Sequence, residues 1–386
     1  MYILTLKKGE EKRIETHPWV YANEVAKIEG KDKQGSIAKV VDSQGRLVGY
    51  GFINHLSKSI VRILSRKDEV FDESWFEAKV IRARRYRETL DYGTAYRAVF
   101  AESDDLPGFI VDRYGDYLSV QFLCLGMEVR KEMIVEILKR VFQPKGIYER
   151  SDVSVREKEG LTQTTGVLYG EVPDLVEIEE NGVKMTVDIK GGQKTGYFLD
   201  QKENRANIRR YAKGKTVLDC FCNLGGFGMC AASVAKEVTE VDISETALDV
   251  VKRTAALNGF DNVKTVKADV FEYLRTLKKE GARYDVIVLD PPAFTKSKDT
   301  VGQAIKGYKD INILALKLLS DEGVLITCSC SQHLSTPLFL NMLEQASKEA
   351  GRDVRLVELR QQARDHATKL GAEEATYLKV AVLIAM

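Results

Sequence analysis

Six cysteines occur in 386 residues, and four of them form two C-x-C pairs, Cys220/Cys222 and Cys328/Cys330. The second pair lies in TCSCSQHL, residues 327–334, directly after the apolar run GVLI. A thiol at the end of a buried strand can be small packing, a metal ligand, half of a disulfide or a nucleophile. Zinc is disfavoured. Alternate residues of a strand splay along one face, whereas zinc usually takes C-x2-4-C from a loop. A disulfide framework does not suit six cysteines in a long chain that reads as cytosolic. Packing and nucleophile remain open on these residues alone.

A second group of chemistry-bearing residues recurs after apolar strands. TVLDCF runs into a Gly-rich turn, Asp219 to Gly228, that opens a helix. Such a turn lets backbone approach a ligand closely, although a tight strand-to-helix connection would need the same residues. It is neither the dinucleotide G-x-G-x-x-G, which argues against a dehydrogenase, nor a Walker A loop. The next strand ends in Glu240-Val241-Asp242, and Asp242 lies 23 residues past Asp219. An acid at that interval can accept both ribose hydroxyls of a nucleoside. A third strand ends at Asp269, where a carboxylate can accept from an adenine amino group, and a fourth at Asp290-Pro291-Pro292-Ala293-Phe294. An Asp in such a place can be a helix N-cap. Three acids at three consecutive strand ends, with the glycine turn, ask for more than capping.

These residues need a frame. From about residue 190 the chain alternates strand and helix, which calls for a parallel sheet with helices on both faces and ligands beyond the carboxyl ends of its strands. Residues 1–68 read as a β-rich, barrel-like module, with GSIAKVVDSQGRLVGYGFIN alternating about the turn Asp42 to Gly45. Residues 69–188 mix helices and strands, among them a hairpin turning at Asn181-Gly182. The boundaries are therefore 1–68, 69–188 and 189–386. WFEAKVIRARRYRETL has helical spacing and carries Lys79, Arg82, Arg84, Arg85 and Arg87, a solvated face or a phosphate-contacting one. Net charge is +1, so nucleic-acid binding has to come from local patches of this kind. No apolar run reaches the roughly 18 residues of a spanning helix, and MYILTLKKGEEKR lacks the order of a signal peptide. A cytoplasmic protein without membrane partners is expected.

The set D-x-F-x-x-x-G-G-F, E-V-D, A-D-V and D-P-P-x-F resembles the class I S-adenosylmethionine-dependent methyltransferases. HPWVYANEV (17–25), DLPGFIVDRYGD (105–116), GQKTGYFLDQKENR (192–205), GYKDINILALKLL (307–319) and SCS (329–331) resemble, more closely, the bacterial ribosomal RNA large-subunit methyltransferase I family. The resemblance runs in order along nearly the whole chain. It implies an N-terminal RNA-binding PUA domain, a central α/β domain and a C-terminal Rossmann-like methyltransferase domain. It also implies S-adenosylmethionine as cofactor, large-subunit ribosomal RNA as partner and 5-methylcytosine as product. Family members can be dimeric, but no stretch of this chain yields an interface.

Carbon 5 of a pyrimidine attacks a methyl donor only after activation, and a cysteine thiolate adding to carbon 6 provides it. The family pattern aligns Cys330 with that nucleophile and leaves Cys328, deeper in the strand, as packing. Asp290 is placed to hold the base edge and to border the cofactor. Some RNA cytosine methyltransferases carry a second Cys in the D-P-P loop, used for product release. This loop reads Asp-Pro-Pro-Ala-Phe, so release has to use another base. The resemblance further implies a cofactor set. Gly225, Gly226 and Phe227 would lie under the methionine part. Asp219 and Asn223 would hold its amino-acid end, Asp242 the ribose and Asp269 the adenine, with Gln201 and Asn258 contributing. No metal is implied. Arg82, Arg85, Lys296 and Lys298 are candidate RNA phosphate contacts. Two other readings stay open: a methyltransferase acting on a purine nitrogen without a thiol adduct, and a non-catalytic RNA-binding assembly factor.

Overall fold

The fold is that of a computed structural model, which describes residues 1–295, 297–372 and 375–386, with backbone alone at Lys298. Two compact units emerge: Met1–Glu179 with Val187–Leu199 and Arg364–Ala375, and Glu180–Thr186 with Asp200–Ala363 and Thr376–Met386.

The first unit carries two sheets. Strands β1 (Tyr2–Leu6), β2 (Trp19–Val20), β3 (Val25–Glu29), β4 (Ile37–Val41), β5 (Leu47–Ile53) and β6 (Val61–Ser65) line up as β2-β6-β5-β4-β1-β3. Their inward residues, among them Leu4, Leu6, Val40, Ile53 and Val61, meet Ile14 of the short helix α1 (Glu11–Ile14) in one core. The β4–β5 turn falls where the sequence placed it, because the Asp42 carboxylate accepts the backbone N–H groups of Gln44 and Arg46. Helix α2 (Glu73–Glu88) is capped by Asp72, which accepts from the Trp75 N–H. The second sheet contains β7 (Ala95–Phe100), β8 (Phe109–Tyr114), β9 (Tyr117–Phe122), β10 (Gly146–Ser151) and β11 (Thr164–Gly170), in the order β11-β10-β9-β8-β7. It shares a core with α2, α3 (Leu125–Glu128) and α4 (Lys131–Phe142). A hairpin of β12 (Val176–Glu180) and β13 (Val183–Val187) turns at Asn181 and Gly182, both at positive φ, as the Asn-Gly pair requires.

The basic run on α2 is not one open face. Arg87 is 2% exposed, and its guanidinium donates to Asp104 at 2.6 Å and to the carbonyls of Arg97 and Asp365. Lys79 and Arg82 both reach Asp105, and Arg84 pairs with Glu88. Arg85 is exposed.

In the second unit, α5 (Lys202–Asn207) and α6 (Arg209–Ala212) precede an alternating run. It begins with β14 (Thr216–Cys220), α7 (Gly226–Ala232), β15 (Glu237–Asp242), α8 (Glu245–Asn258) and β16 (Val263–Lys267). It continues with α9 (Val270–Glu280), β17 (Tyr284–Leu289), α10 (Val301–Leu318), β18 (Leu319–Ser329), α11 (Thr336–Ala350), β19 (Val354–Arg360) and β20 (Lys379–Ala385). The strand order is β16-β15-β14-β17-β18-β20-β19. The first five strands are parallel, as the alternation predicts. β20 inserts antiparallel between β18 and β19, an arrangement that periodicity could not supply. VAVLIA, residues 380–385, is a continuous apolar run, which identifies a buried segment but not its neighbours or direction. Strand order reverses between β14 and β17, which opens a ligand crevice at their carboxyl ends.

Removing one partner of a buried ion pair costs about 3–5 kcal/mol, whereas an exposed surface change stays within about 0.5 kcal/mol. In chemical denaturation, Arg87→Ala is expected to show the larger loss and Arg85→Ala almost none.

Candidate active site

β14 delivers Asp219 to the crevice, and the chain then turns through Phe221 (φ +62°), Asn223 (φ +51°) and Gly225 (φ +76°) into α7. Left-handed conformations at Phe and Asn cost of order 1–3 kcal/mol each, so the loop has to be held. Its hydrogen bonds do this. The Cys222 N–H donates to the Val241 carbonyl at 3.1 Å, and the Gly225 N–H to the Cys222 carbonyl at 2.8 Å. The Asn223 N–H donates to Asp242 Oδ2 at 3.0 Å, while Asp242 Oδ1 accepts from Ser244 at 2.9 Å. Asp242 is thereby fixed, half-buried, at the end of β15.

Beneath the loop lies a feature the sequence reading passed over. Glu240 is completely buried beside Asp219. A Cβ placed on Gly228 would lie 2.0 Å from Glu240 Oε1, so any larger residue has to displace the buried carboxyl. The Gly228 N–H donates to Asp219 Oδ2 at 2.9 Å. No N–H reaches Asp219 Oδ1 or either Glu240 oxygen. Burial pushes Asp219 up to about 7, and burial together with the Asp219 charge pushes Glu240 well above the carboxylate range. Both groups therefore hold a proton more readily than an exposed carboxylate, Glu240 above all. A signal was present in the sequence. Glu240 stands two residues before Asp242, on the same face of a strand that passes under a glycine turn.

Asp290 follows β17 and accepts from Gln201 Nε2 at 3.1 Å; Gln201 in turn accepts from Asn204 Nδ2 at 2.7 Å. Cys328, inside β18, is 0% exposed, and burial first, then the Asp290 charge, raises its thiol well above the usual range. Of the six cysteines, all described, five are buried and Cys330 alone keeps partial solvent access. The residue after it, Ser331, is tied down. Its hydroxyl meets the Tyr308 hydroxyl at 2.9 Å, and its carbonyl accepts from Lys379 Nζ at 2.8 Å. Phe294 packs on Tyr308 with ring centroids 4.4 Å apart.

The fold thus groups Asp219, Asn223, Gly225, Gly226, Phe227 and Asp242 around one turn, with Asp290 and Gln201 at the end of the neighbouring strand and Cys330 at the next. Asp269 stands at the end of β16, where its side chain accepts from the Glu272 N–H and caps α9. Asn258 is a correction. α8 starts at the ligand end of the sheet and runs 14 residues, about 20 Å, away from it. At the far end the Asn258 amide clasps Lys184 through its N–H and carbonyl and also reaches the Thr254 carbonyl. Its helical spacing, not the cofactor, accounts for its place. Lys296 lies outside the described residues, and Lys298 begins a single helical turn, Lys298–Thr300. In the first unit, Arg82 lines a surface pocket with Arg66, Lys67, Lys79 and Lys369 around Asp105.

Residues 4–66 match the PUA-like domain family and residues 155–371 the S-adenosylmethionine-dependent methyltransferase family. The chain is similar to Ribosomal RNA large subunit methyltransferase I of Tolumonas auensis, 44% identical with 99% of this chain and 98% of that one covered. The same-named protein of Vibrio cholerae is 44% identical, with 97% of each chain covered. A solved structure from Streptococcus mutans, described as a SAM-dependent methyltransferase, shares the fold over 100% of both chains with a TM-score of 0.84 at 24% identity.

Two outcomes follow from the buried pair. Gly228→Ala forces a methyl group into Glu240 and should cost about 1–3 kcal/mol in denaturant unfolding. The folded chain holds the Glu240 proton more tightly than the unfolded chain, whose glutamate titrates near 4.5. The pair's contribution is therefore least unfavourable below that value and turns against folding as pH rises. Thermal melts from about pH 5 to about pH 8 should show wild type losing stability relative to Glu240→Gln, which cannot ionise; parallel curves would contradict a buried Glu240 that keeps its proton.

Proposed function

Since the chain belongs to the S-adenosylmethionine-dependent methyltransferases, within the ribosomal RNA large subunit methyltransferase I family, we propose that it methylates carbon 5 of a cytosine in large-subunit ribosomal RNA through a Cys330 adduct. The observation that carries this reading is the position of Cys330. It is the one thiol among the six with access to solvent, and it stands at the end of β18, the strand next to the one that presents Asp290.

The cofactor, when bound, supplies an electrophilic methyl group on a sulfonium. Its polar ends fit what the second unit offers. The Asp242 carboxylate, already oriented by two backbone N–H groups, suits a pair of ribose hydroxyls. Asp219, held by the Gly228 N–H, faces the loop where a cationic amine would sit, and Asn223 flanks it. Gly225 and Gly226 let backbone approach without a side chain between. Asp269 borders the adenine end, and Gln201 closes over Asp290.

The protein's own groups then act on the base. The Cys330 thiolate forms a bond to carbon 6, and the ring electrons move to carbon 5, which becomes the nucleophile. Asp290, oriented by Gln201, holds the amino edge of the cytosine. After methylation, loss of the carbon-5 proton expels the thiol and restores the ring. Cys328, buried and held as a neutral thiol, packs the strand. The PUA-like β module and the basic pocket around Asp105, with Arg85 nearby on α2, supply contacts for RNA phosphates. Among the described residues no helix is long and apolar enough to cross a membrane, and a cytoplasmic site of action fits an RNA substrate.

The test is methylation of large-subunit RNA from cells lacking the gene, with labelled cofactor and nucleoside mass spectrometry. Label should appear in 5-methylcytidine, fall about a thousandfold or more in Cys330→Ala, and stay within about tenfold of wild type in Cys328→Ala. Label in a methylated purine, indifferent to Cys330→Ala, would sink the adduct.

A further inference from the structure

β20 opens on Lys379, whose Cα pairs with Ser329 of β18 in antiparallel register. The strand it begins, K-V-A-V-L-I-A, is otherwise apolar, and Lys379 itself is 6% exposed. A buried ammonium is costly unless its charge and its N–H groups are answered. Two N–H groups are answered by carbonyls, Ser331 at 2.8 Å and Tyr377 at 2.8 Å. Among the described residues no carboxylate pairs with it. Burial pulls its pKa down to about 8, and the charge that pulls it back up is that of Cys330.

The Ser331 carbonyl is the next one along the chain from Cys330. Besides Lys379 it accepts the Leu334 N–H at 3.1 Å. The Ser331 N–H donates to Ser329 Oγ at 3.3 Å and its hydroxyl meets Tyr308 at 2.9 Å. Of these ties, the one from Lys379 is the only one that brings a positive charge. Among the described residues, the other titratable groups in the surroundings come from four places. Tyr308 on α10 is raised by burial and stays a neutral phenol. Asp290, beyond β17 with Gln201, is negative and raises the Cys328 thiol, so it opposes a thiolate here as well. Tyr377 is bonded through its hydroxyl to Asp200. His333 lies in the turn itself.

We propose that Lys379 is a positioning residue for Cys330, fixing the turn through the Ser331 carbonyl and stabilising the thiolate with its ammonium. The inference rests on Cys330 being the nucleophile. It assigns to the inserted antiparallel strand a part in the reaction: β20 brings a cation to the turn after β18.

The experiment reads the thiol directly and requires no turnover. Full-length protein is alkylated with iodoacetamide across a pH series, and modification of Cys330 is followed by peptide mass spectrometry. Lys379→Met should move the midpoint of the rate profile upward by about one unit, a roughly tenfold slower reaction at neutral pH. Lys379→Arg, which keeps the charge, should stay near wild type. In turnover, Lys379→Met should lose kcat with KM unchanged and regain it as pH rises, which a purely structural defect would not do. An unshifted alkylation profile, or an equal shift in the arginine variant, overturns the inference. If Lys379→Met does not fold, the reciprocal measurement decides. Thiolate and ammonium stabilise each other, so Cys330→Ser should lower the Lys379 titration seen by 15N NMR; an unmoved titration is equally fatal. The two readings fail separately. An inactive Cys330→Ala with an unshifted Lys379→Met profile removes Lys379 alone. A fully active Cys330→Ala removes the nucleophile and, with it, any positioning role.

Discussion

Two carboxyl groups buried together, with no cation paired to either among the described residues, set the ligand end of the second unit. Glu240 and Asp219 lie inside, and burial that favours the neutral form of Glu240 removes the repulsion that two carboxylates would suffer there. Several features follow from that burial. Glycine suits position 228 because the Glu240 carboxyl occupies the space of its Cβ. Asp219 presents an oriented carboxyl because the Gly228 N–H holds one of its oxygens. The strained turn through Phe221 and Asn223 can persist because Asp242, two residues along from Glu240, ties the Asn223 N–H to the next strand. One strand pair thus sets two acids at one end of the sheet, Asp219 and Asp242, about a single glycine turn.

The side of the crevice at β17 and β18 is built differently. β17 and β18 are parallel neighbours, so Asp290 and Cys330 emerge at adjacent strand ends. β20 runs the other way, and antiparallel pairing places the first residue of β20 against the last residue of β18. A basic residue at the start of β20 is thereby delivered to the turn after β18. A sixth parallel strand would present the opposite end of its chain there.

The first unit uses charge in another way. Asp105 gathers Lys79, Arg82 and Lys369 at 2.6–3.0 Å, which gives a basic pocket a rigid floor while leaving positive charge in excess. Arg87, one turn further along α2, serves the core instead. The same residue type on one helix therefore does two jobs, decided by which side of the helix faces Asp104.

What the sequence alone determined was local. The β-α alternation gave five parallel strands, and acids at the strand ends gave the crevice. Asn181-Gly182 gave its hairpin, and the motif set gave the family. These were legible because they depend on backbone period, turn chemistry and residues close together in the chain. Tertiary structure decided the rest. Glu240 reads as one more acid near a strand end until the fold buries it against Asp219 and Gly228. Asn258 reads as a site residue until the length of α8 carries it to the far edge. Lys379 lies 49 residues from Cys330 in the chain, and only the insertion of an antiparallel strand brings the two together. Burial and strand neighbours are properties of the packed chain, and no spacing along the sequence encodes them.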